Sequence, residues 1–387
     1  TEVPSGYKSG EPRPDPFAGE QPLFTITADN MSEYADKLDE GQKHLLQTYP
    51  DYKMNIYPSH RTAAAPDWVY EETFKNATRA SLDGYEVKGA YGGVTFPIPK
   101  SGLEVMCNHE LRVRPSAYYW PFNSWVVDTS GNATIATAAV NEVSNAYYVE
   151  GGDAENFDGR YFLNLQSVTD PAYRAGELLM YYDKLYNTRR PWQYLVGQRR
   201  VRRAPTVCCD TPNFVNSGVD FFDQAFIFFG PKDRYDWKIL GKKEMYVPYN
   251  MNNFFLQSDK EVLGKNFVKP DYIRWELHRV WEIEGSLREG QRDVRPKRKI
   301  YVDEDSWIAL LGNTWDAQGA LWHTTIGFPM IMFEVPSLIM ENFVTMDLIK
   351  GTYTATLVND QDVHLENVKP YPDTFYTPEG MLRKGVR

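Results

Sequence analysis

The chain has 387 residues, 42% hydrophobic and 14% aromatic, which is ample for a packed core and excludes a disordered protein. Acidic residues outnumber basic ones 52 to 42, a net charge of −10, which argues against nucleic acid as a partner because that binding rests on basic patches meeting phosphate. No apolar run approaches the ~18 residues of a membrane-spanning helix, so an integral membrane protein is not expected.

Residues 1–23 hold Pro4, Pro12, Pro14, Pro16 and Pro22 among glycines and charges. They predict an extended arm draped over a single β-rich domain, residues 24–387. The chain opens on Thr1 rather than Met and reads as a processed product whose targeting segment has been removed. Asn30 is placed to cap a short helix with Met31, Tyr34 and Leu38 on one face. Leu45, Leu46 and Tyr49 continue helical spacing past Gly41, and a further helical turn is expected from Trp68 to Ala80. The glycines of residues 89–93 imitate a phosphate loop, but no Gly-Lys-Ser/Thr follows and prolines break the next segment, so nucleotide binding is rejected. The loop is expected to feed a long strand, Leu103–Arg114.

Strand, turn at Ser130-Gly131-Asn132, and strand follow to Tyr148, then another strand at Gly159–Val168. Ala175–Pro205 predicts a hairpin: a strand Leu178–Tyr186, turn chemistry at Asn187–Pro191, and a second strand in which Trp192, Gln193 and Tyr194 alternate. That second strand ends in Arg199, Arg200, Arg202 and Arg203. With a period of two, Arg199 and Arg203 share one face and Arg200 and Arg202 the other. Four guanidiniums so close require anions, either internal carboxylates or the phosphate or carboxylate head of a ligand.

Cys208–Gly230 is irregular and carries Phe214, Phe221, Phe222, Phe226, Phe228 and Phe229. It reads as a plug in the core, with a lid over the sheet as the alternative. Cys107, Cys208 and Cys209 are too few for a disulfide scaffold and read as three structural thiols. Tyr235–Tyr249 is a strand pair or one bent strand, and residues 250–268 are expected to form a loop with a helical turn. Tyr272–Glu284, Lys297–Asp303, Ser306–Thr314, Ala320–Val335, Leu338–Leu348 and Tyr353–Val358 are short-spaced strands, and a brief helix starts near Pro378. The predicted class is mainly β: one large curved antiparallel sheet in sequential order, an unclosed barrel with a few helices plugging its concave side.

No constellation announces a reaction, and no catalytic residue, metal site or cofactor is assigned. No Gly-x-Ser-x-Gly elbow is present, and no two of the six histidines stand at i, i+4. His109, His278 and His323 lie on predicted strands and read as separately hydrogen-bonded core groups. Glu177, Glu276 and Glu282 read as partners of arginines rather than an acid–base pair. A second basic run, Arg295, Lys297, Arg298 and Lys299, reads as a solvated edge guard.

The segments at 89–105, 197–205, 233–250, 272–290 and 298–319 resemble a proteobacterial family of exported proteins, domain of unknown function 1329. The resemblance covers nearly the whole chain, although Cys208-Cys209 is not among the family's hallmarks. It implies a secretion signal, kinship with the carriers that sort lipoproteins to the outer membrane, and helices plugging an apolar cavity in an unclosed β-barrel. Family members are often encoded beside membrane transporters of the resistance-nodulation-division type and outer-membrane proteins, which implies traffic of hydrophobic molecules. No catalytic residues are established for the family, and none is carried over.

The expectation is a periplasmic or otherwise exported binding or carrier protein for a lipid-like ligand. Its partners would include an envelope transporter or outer-membrane protein. Trp192, Tyr194, Trp237, Trp275, Trp281, Trp307 and Trp322 are the candidate cavity residues, and Arg199, Arg200, Arg202 and Arg203 the candidate head-group site. The alternative is a structural or assembly component of the envelope acting through protein contacts.

Overall fold

Alternating sequence becomes strand where every second side chain has a core to enter. The computed structural model describes residues 2–185, 187–204 and 207–385, with residues 187 and 188 described by their backbone alone. Two short strands, β1 (Phe24–Ile26) and β2 (Met54–Ile56), flank α1 (Glu40–Thr48). Helix α2 (Asp67–Arg79), the detached hairpin β3 (Ser81–Asp83) and β4 (Glu86–Lys88), and α3 (Gly102–Glu110) come next. A first meander comprises β5 (Ala117–Val127), β6 (Ala133–Ser144), β7 (Arg160–Asp170), β8 (Leu178–Lys184), β9 (Asn187–Leu195) and β10 (Arg200–Arg203). A second begins with β11 (Tyr235–Pro248) and, after α4 (Asp259–Val262), runs through β12 (Trp275–Leu287), β13 (Lys297–Asp303) and β14 (Ala309–Trp315). It continues in β15 (Leu321–Met332), β16 (Ser337–Asp347) and β17 (Thr352–Leu357), and the chain ends with β18 (Glu366–Asn367) and α5 (Pro378–Gly385).

These strands make one 16-stranded sheet that does not close into a barrel. The expected mainly β class is the observed one, with few helices. Sequential order holds within each meander and breaks where β17 returns to β5, with Tyr353 opposite Val127 and Leu357 opposite Asn123. Among the described strands the one parallel step is β2 beside β12. The N-terminal arm is tied to the body: Arg13 pairs with Glu334 and donates to the Leu365 carbonyl at 2.7 Å, and Phe17 stacks on His60.

Local corrections to the sequence reading have physical causes. Leu103–Arg114, expected as a strand, is helical through Glu110, because Ser101 caps the turn by accepting from the Glu104 N–H at 3.2 Å. Gly102 lets that helix sit directly on β11, where a Cβ would come 2.6 Å from the Trp237 carbonyl carbon. His109 therefore lies on a helix and not on a strand. The predicted hairpin is three strands, since β9 ends at Leu195 and the chain turns into β10 at its edge. Tyr186 and Pro205, expected within it, lie outside the described residues. Cys208 and Cys209 are bonded to each other rather than free, while Cys107 is a buried thiol whose pKa burial pushes up to about 12. Arg295 and Arg298, expected at a solvated edge, are fully buried.

The face of the sheet that carries Trp120, Phe122, Tyr181 and Phe343, which we call the inner face, is filled by residues 207–229. The other face is covered by α1 and residues 250–268, where Asn123 and Trp125 donate to Asp259 at 2.9 and 2.8 Å. The sequence reading of a plug describes 207–229 as found. Three buried groups hold it. Asp220 accepts from Thr354 Oγ1 of β17 at 2.8 Å and from Asn216. Asp223 stands 2.7 Å from Arg298 Nη2 and 2.8 Å from Arg295 Nη2, the latter a charge contact without hydrogen-bond alignment. His109 accepts the Ala309 N–H at Nδ1 (3.0 Å), so Nε2 carries the proton and donates to the carbonyls of Phe226 (3.1 Å) and Phe228 (3.3 Å). Burial holds its pKa well below the usual imidazole value, in keeping with the neutral ring.

Among the described residues Asp223→Ala leaves two buried guanidiniums with Asp293 alone as counter-charge, and is expected to destabilise the fold by about 3–5 kcal/mol in urea unfolding. Burial also pushes the Asp220 carboxyl up to about 6 from an ordinary 3.8. A raised folded pKa means that this group's stabilisation is complete below 3.8 and is lost as pH rises through about 6. Asp220→Asn has no such loss, so its stability relative to the parent should improve by roughly 2–3 kcal/mol between about pH 4 and about pH 7. Parallel pH profiles for the two proteins would contradict this.

Candidate functional site

The plug does not fill the inner face completely. Between it and strands β5 to β8, β16 and β17 remains an aromatic chamber of about 70 Å³. Trp120 and Phe122 of β5 and Phe343 of β16 meet Phe226 of the plug there, and Leu179 and Tyr181 of β8 meet Phe222 and Phe229. Alternation explains the wall, since positions 120 and 122, and 179 and 181, share one face of their strands. Two buried donors in that wall, Trp120 Nε1 and Gln166 Nε2, have no hydrogen-bond partner among the described residues.

A wider cleft of about 510 Å³ adjoins the chamber, and Arg189 and Phe229 line both. Arg189 is fixed from several sides. Its Nε lies 3.2 Å from Asp183 Oδ1, its Nη2 donates to Asp183 Oδ2 at 3.1 Å and to the Phe229 carbonyl at 3.2 Å. Its guanidinium carbon stands 4.2 Å from the Phe229 ring centre and 4.7 Å from that of Tyr181. Burial raises the Asp183 carboxyl pKa, and the arginine opposes that rise. In the same cleft Lys232 pairs with Glu110, which also accepts from Tyr161 Oη at 2.6 Å. Carboxylates outnumber cations around the rim, where Asp83 and Glu86 of the β3–β4 hairpin face Lys184 and Asp233. The disulfide-bonded Cys208 stands in the same wall.

At the other end of β8 and β9 a shallow surface cleft runs past Gln193, Arg174 and the plug residues Pro212 and Phe214. Here β10 forms the sheet edge. Arg202 lies opposite Gln193 and approaches its side-chain oxygen at 3.5 Å, placing it on the inner face, and alternation puts Arg200 beside it. Arg203 is on the other face, 4.7 Å over the Trp192 ring, and Arg199 occupies the turn at φ 49°. Arg199, Arg200, Arg202 and Arg203 are all exposed, and none has a carboxylate partner within 4 Å among the described residues.

The seven candidate aromatics are scattered. Trp237 and Trp322 touch the plug, at 5.0 Å from Phe228 and 5.6 Å from Phe221. Trp275 is core, and Trp281 and Trp307 stack on each other at 6.3 Å. Trp192 and Tyr194 belong to a separate cluster beneath Tyr376 and Met381, near the C-terminus. None of the seven lines the aromatic chamber. The residues that do, Trp120, Phe122, Tyr181 and Phe343, were signalled only by strand parity, which cannot say which face is inward. Arg189 reads in sequence as a turn residue; its pairing with Asp183 across the strand end is the one hint of a buried role.

The histidines are not brought together either. His109 holds the plug, His278 bonds Glu276 at 2.9 Å, and His323 bonds Gln224 at 3.1 Å beside Asp347. Glu177 and Glu276 pair with Arg174 and Arg274 as expected, whereas Glu282 pairs with Lys243 and Lys299 rather than with an arginine.

With this geometry in view, the comparisons with known proteins are informative. Residues 25–382 match the family described as protein of unknown function DUF1329. Over 403 residues the chain is 34% identical to the uncharacterized protein PA3922 of Pseudomonas aeruginosa, covering 96% of this chain and 84% of that one. The fold is similar to that of a putative outer membrane lipoprotein-sorting protein domain from Vibrio parahaemolyticus, with a TM-score of 0.50 at 12% identity, covering 73% of this chain and 99% of that domain. A DUF1329 family protein from Desulfovibrio piger aligns with a TM-score of 0.46 at 12% identity, over 72% of this chain and 97% of its own. The match along almost the whole length decides the assignment: the chain belongs to the DUF1329 family.

Proposed function

We propose that this protein is an exported, periplasmic carrier that binds an apolar molecule with hydrogen-bond-accepting groups, such as an acyl chain ending in an ester or acid. The observation that carries the reading is the chamber itself: an aromatic pocket that keeps two buried donors with no partner among the described residues and is occupied by the chain's own Phe226 and Phe229. Phe226 and Ile227 hold φ of 54° and 73°, left-handed values that bulky and β-branched residues rarely adopt. The plug thus sits in the chamber at some conformational cost, which favours its displacement by a ligand. An apolar tail would take the place of the phenylalanine rings and gain about 25 cal/mol per Å² of surface removed from water. The acid-rich cleft beside Arg189 suits a neutral or cationic group, whereas an anionic head would reach Arg200 and Arg202 at the open end. An envelope transporter or outer-membrane protein is the proposed donor or acceptor of the cargo.

A structural or assembly role is favoured by a different feature, the β10 edge, whose exposed arginines have no carboxylate partner among the described residues and which is suited to pairing with another chain.

Native mass spectrometry of the protein taken without detergent from its source, followed by extraction, is expected to show a stoichiometric apolar molecule. Phe226→Ala is expected to enlarge the chamber and tighten binding of a fluorescent long-chain fatty acid several-fold, and the pair Arg200→Gln and Arg202→Gln to weaken it. A clean mass that is unchanged after incubation with envelope lipids, with no saturable probe binding by parent or variant, overturns the carrier reading and leaves the assembly role.

A further inference from the structure

A second polar centre lies away from the chamber, where β12 meets the turn between β13 and β14. His278 of β12 and Asp303, the last residue of β13, are buried, and Asp305 of the turn is partly exposed. An imidazole nitrogen and one carboxylate oxygen from each aspartate all lie within 4.8 Å of one another. That spacing suits three donors around one cation.

The surroundings hold each donor in place. His278 Nε2 is 2.9 Å from Glu276 Oε2, and Glu276, 0% exposed, is itself fixed by Arg274 Nε at 2.5 Å, Asn250 Nδ2 at 3.0 Å and the His60 N–H at 2.8 Å. A carboxylate that accepts the Nε2 proton leaves the lone pair on Nδ1 and makes the ring a stronger donor, the arrangement found behind histidine ligands to metals. The ring is also pinned flat by Tyr249, whose ring centre is 3.7 Å away. Asp303 is held through one oxygen only. Its Oδ2 accepts from Tyr249 Oη at 3.1 Å and from the Ser306 N–H and Oγ at 2.8 and 2.6 Å. Its Oδ1 is buried without a hydrogen-bond partner among the described residues, in a side chain that is 0% exposed. A buried carboxylate oxygen left unbonded costs free energy that a cation would recover.

One group competes for this place. Arg61 binds Asp305 through both nitrogens of its fork, with Nε at 2.7 Å from Oδ2, from a side chain that is 65% exposed. It approaches from the solvent side and can leave without disturbing the core. The remaining cations nearby, Arg279 and Lys242, are engaged with Glu304.

We infer that His278, Asp303 and Asp305 form a binding site for a divalent transition-metal cation of the zinc and manganese class, joining β12 to the β13–β14 turn. One nitrogen and two carboxylate oxygens is a donor set that such borderline cations accept, with water completing the shell from the Asp305 side. The inference is independent of the carrier reading.

The test is isothermal titration of the untagged, chelator-stripped full chain with Zn²⁺ and with Mn²⁺, with thermal unfolding in parallel. One equivalent is expected to bind and to raise the unfolding temperature, since a cation that binds only the folded chain stabilises it. Asp305→Asn, at a partly exposed turn, should weaken binding at least about tenfold, the loss expected even for a residue that only supports a ligand. Arg61→Ala should tighten it several-fold by removing the competing cation, an effect that no purely structural role of Arg61 produces. No binding up to millimolar metal, or binding that is the same in the parent, Asp305→Asn and Arg61→Ala, overturns the site.

Discussion

An open sheet with an aromatic face must have that face covered, and in this protein the cover is a stretch of its own chain. Residues 207–229 have too little regular structure to be held by backbone pairing. They are held instead by buried polar anchors: Asp223 between Arg295 and Arg298, Asp220 under Thr354, and His109 beneath the Phe226 and Phe228 carbonyls. The shape of the chamber and the position of Arg189 follow from where those anchors set the phenylalanine rings. Buried charges are weak evidence for stability but strong constraints on arrangement, because each permits few geometries.

The same logic places the two polar centres at opposite ends of the sheet. Around Arg189 and Asp183 the ion pair is closed by aromatic rings and serves as a boundary between the chamber and the open cleft. Around His278 the polar atoms are not closed, since Asp303 keeps an oxygen without a partner among the described residues. A satisfied network rigidifies; an unsatisfied one points to a further partner.

Much of the fold was legible because strand alternation, turn residues and proline are local signals. The strands from Lys297 to Leu357 and the turns at Asp303–Asp305 and Asp316–Gly319 fall where residue pattern puts them. Leu103–Arg114 failed because Val105, Met106 and His109 serve a helix as well as a strand; the cap at Ser101, three residues before Glu104, is a local signal that the strand reading passed over, while the close approach of Gly102 to Trp237 is a contact that pattern does not reveal. The basic run at Arg295–Lys299 failed for a related reason. Its buried half is paired with Asp223, more than seventy residues earlier in the chain, and charge in sequence carries no record of such a partner.

Sequence by itself determined the β-rich class, the phenylalanine plug and the family, since composition, a period of two and extended motif similarity are all properties of the linear chain. Tertiary structure decided which aromatics face the chamber, that β17 closes on β5, that Arg189 rather than an edge arginine stands at its wall, and that His278 meets two aspartates. Each of these depends on which face of a strand turns inward and on which distant segments become neighbours. Parity leaves the first undecided by one bit per strand, and the second is settled only when the whole sheet has paired.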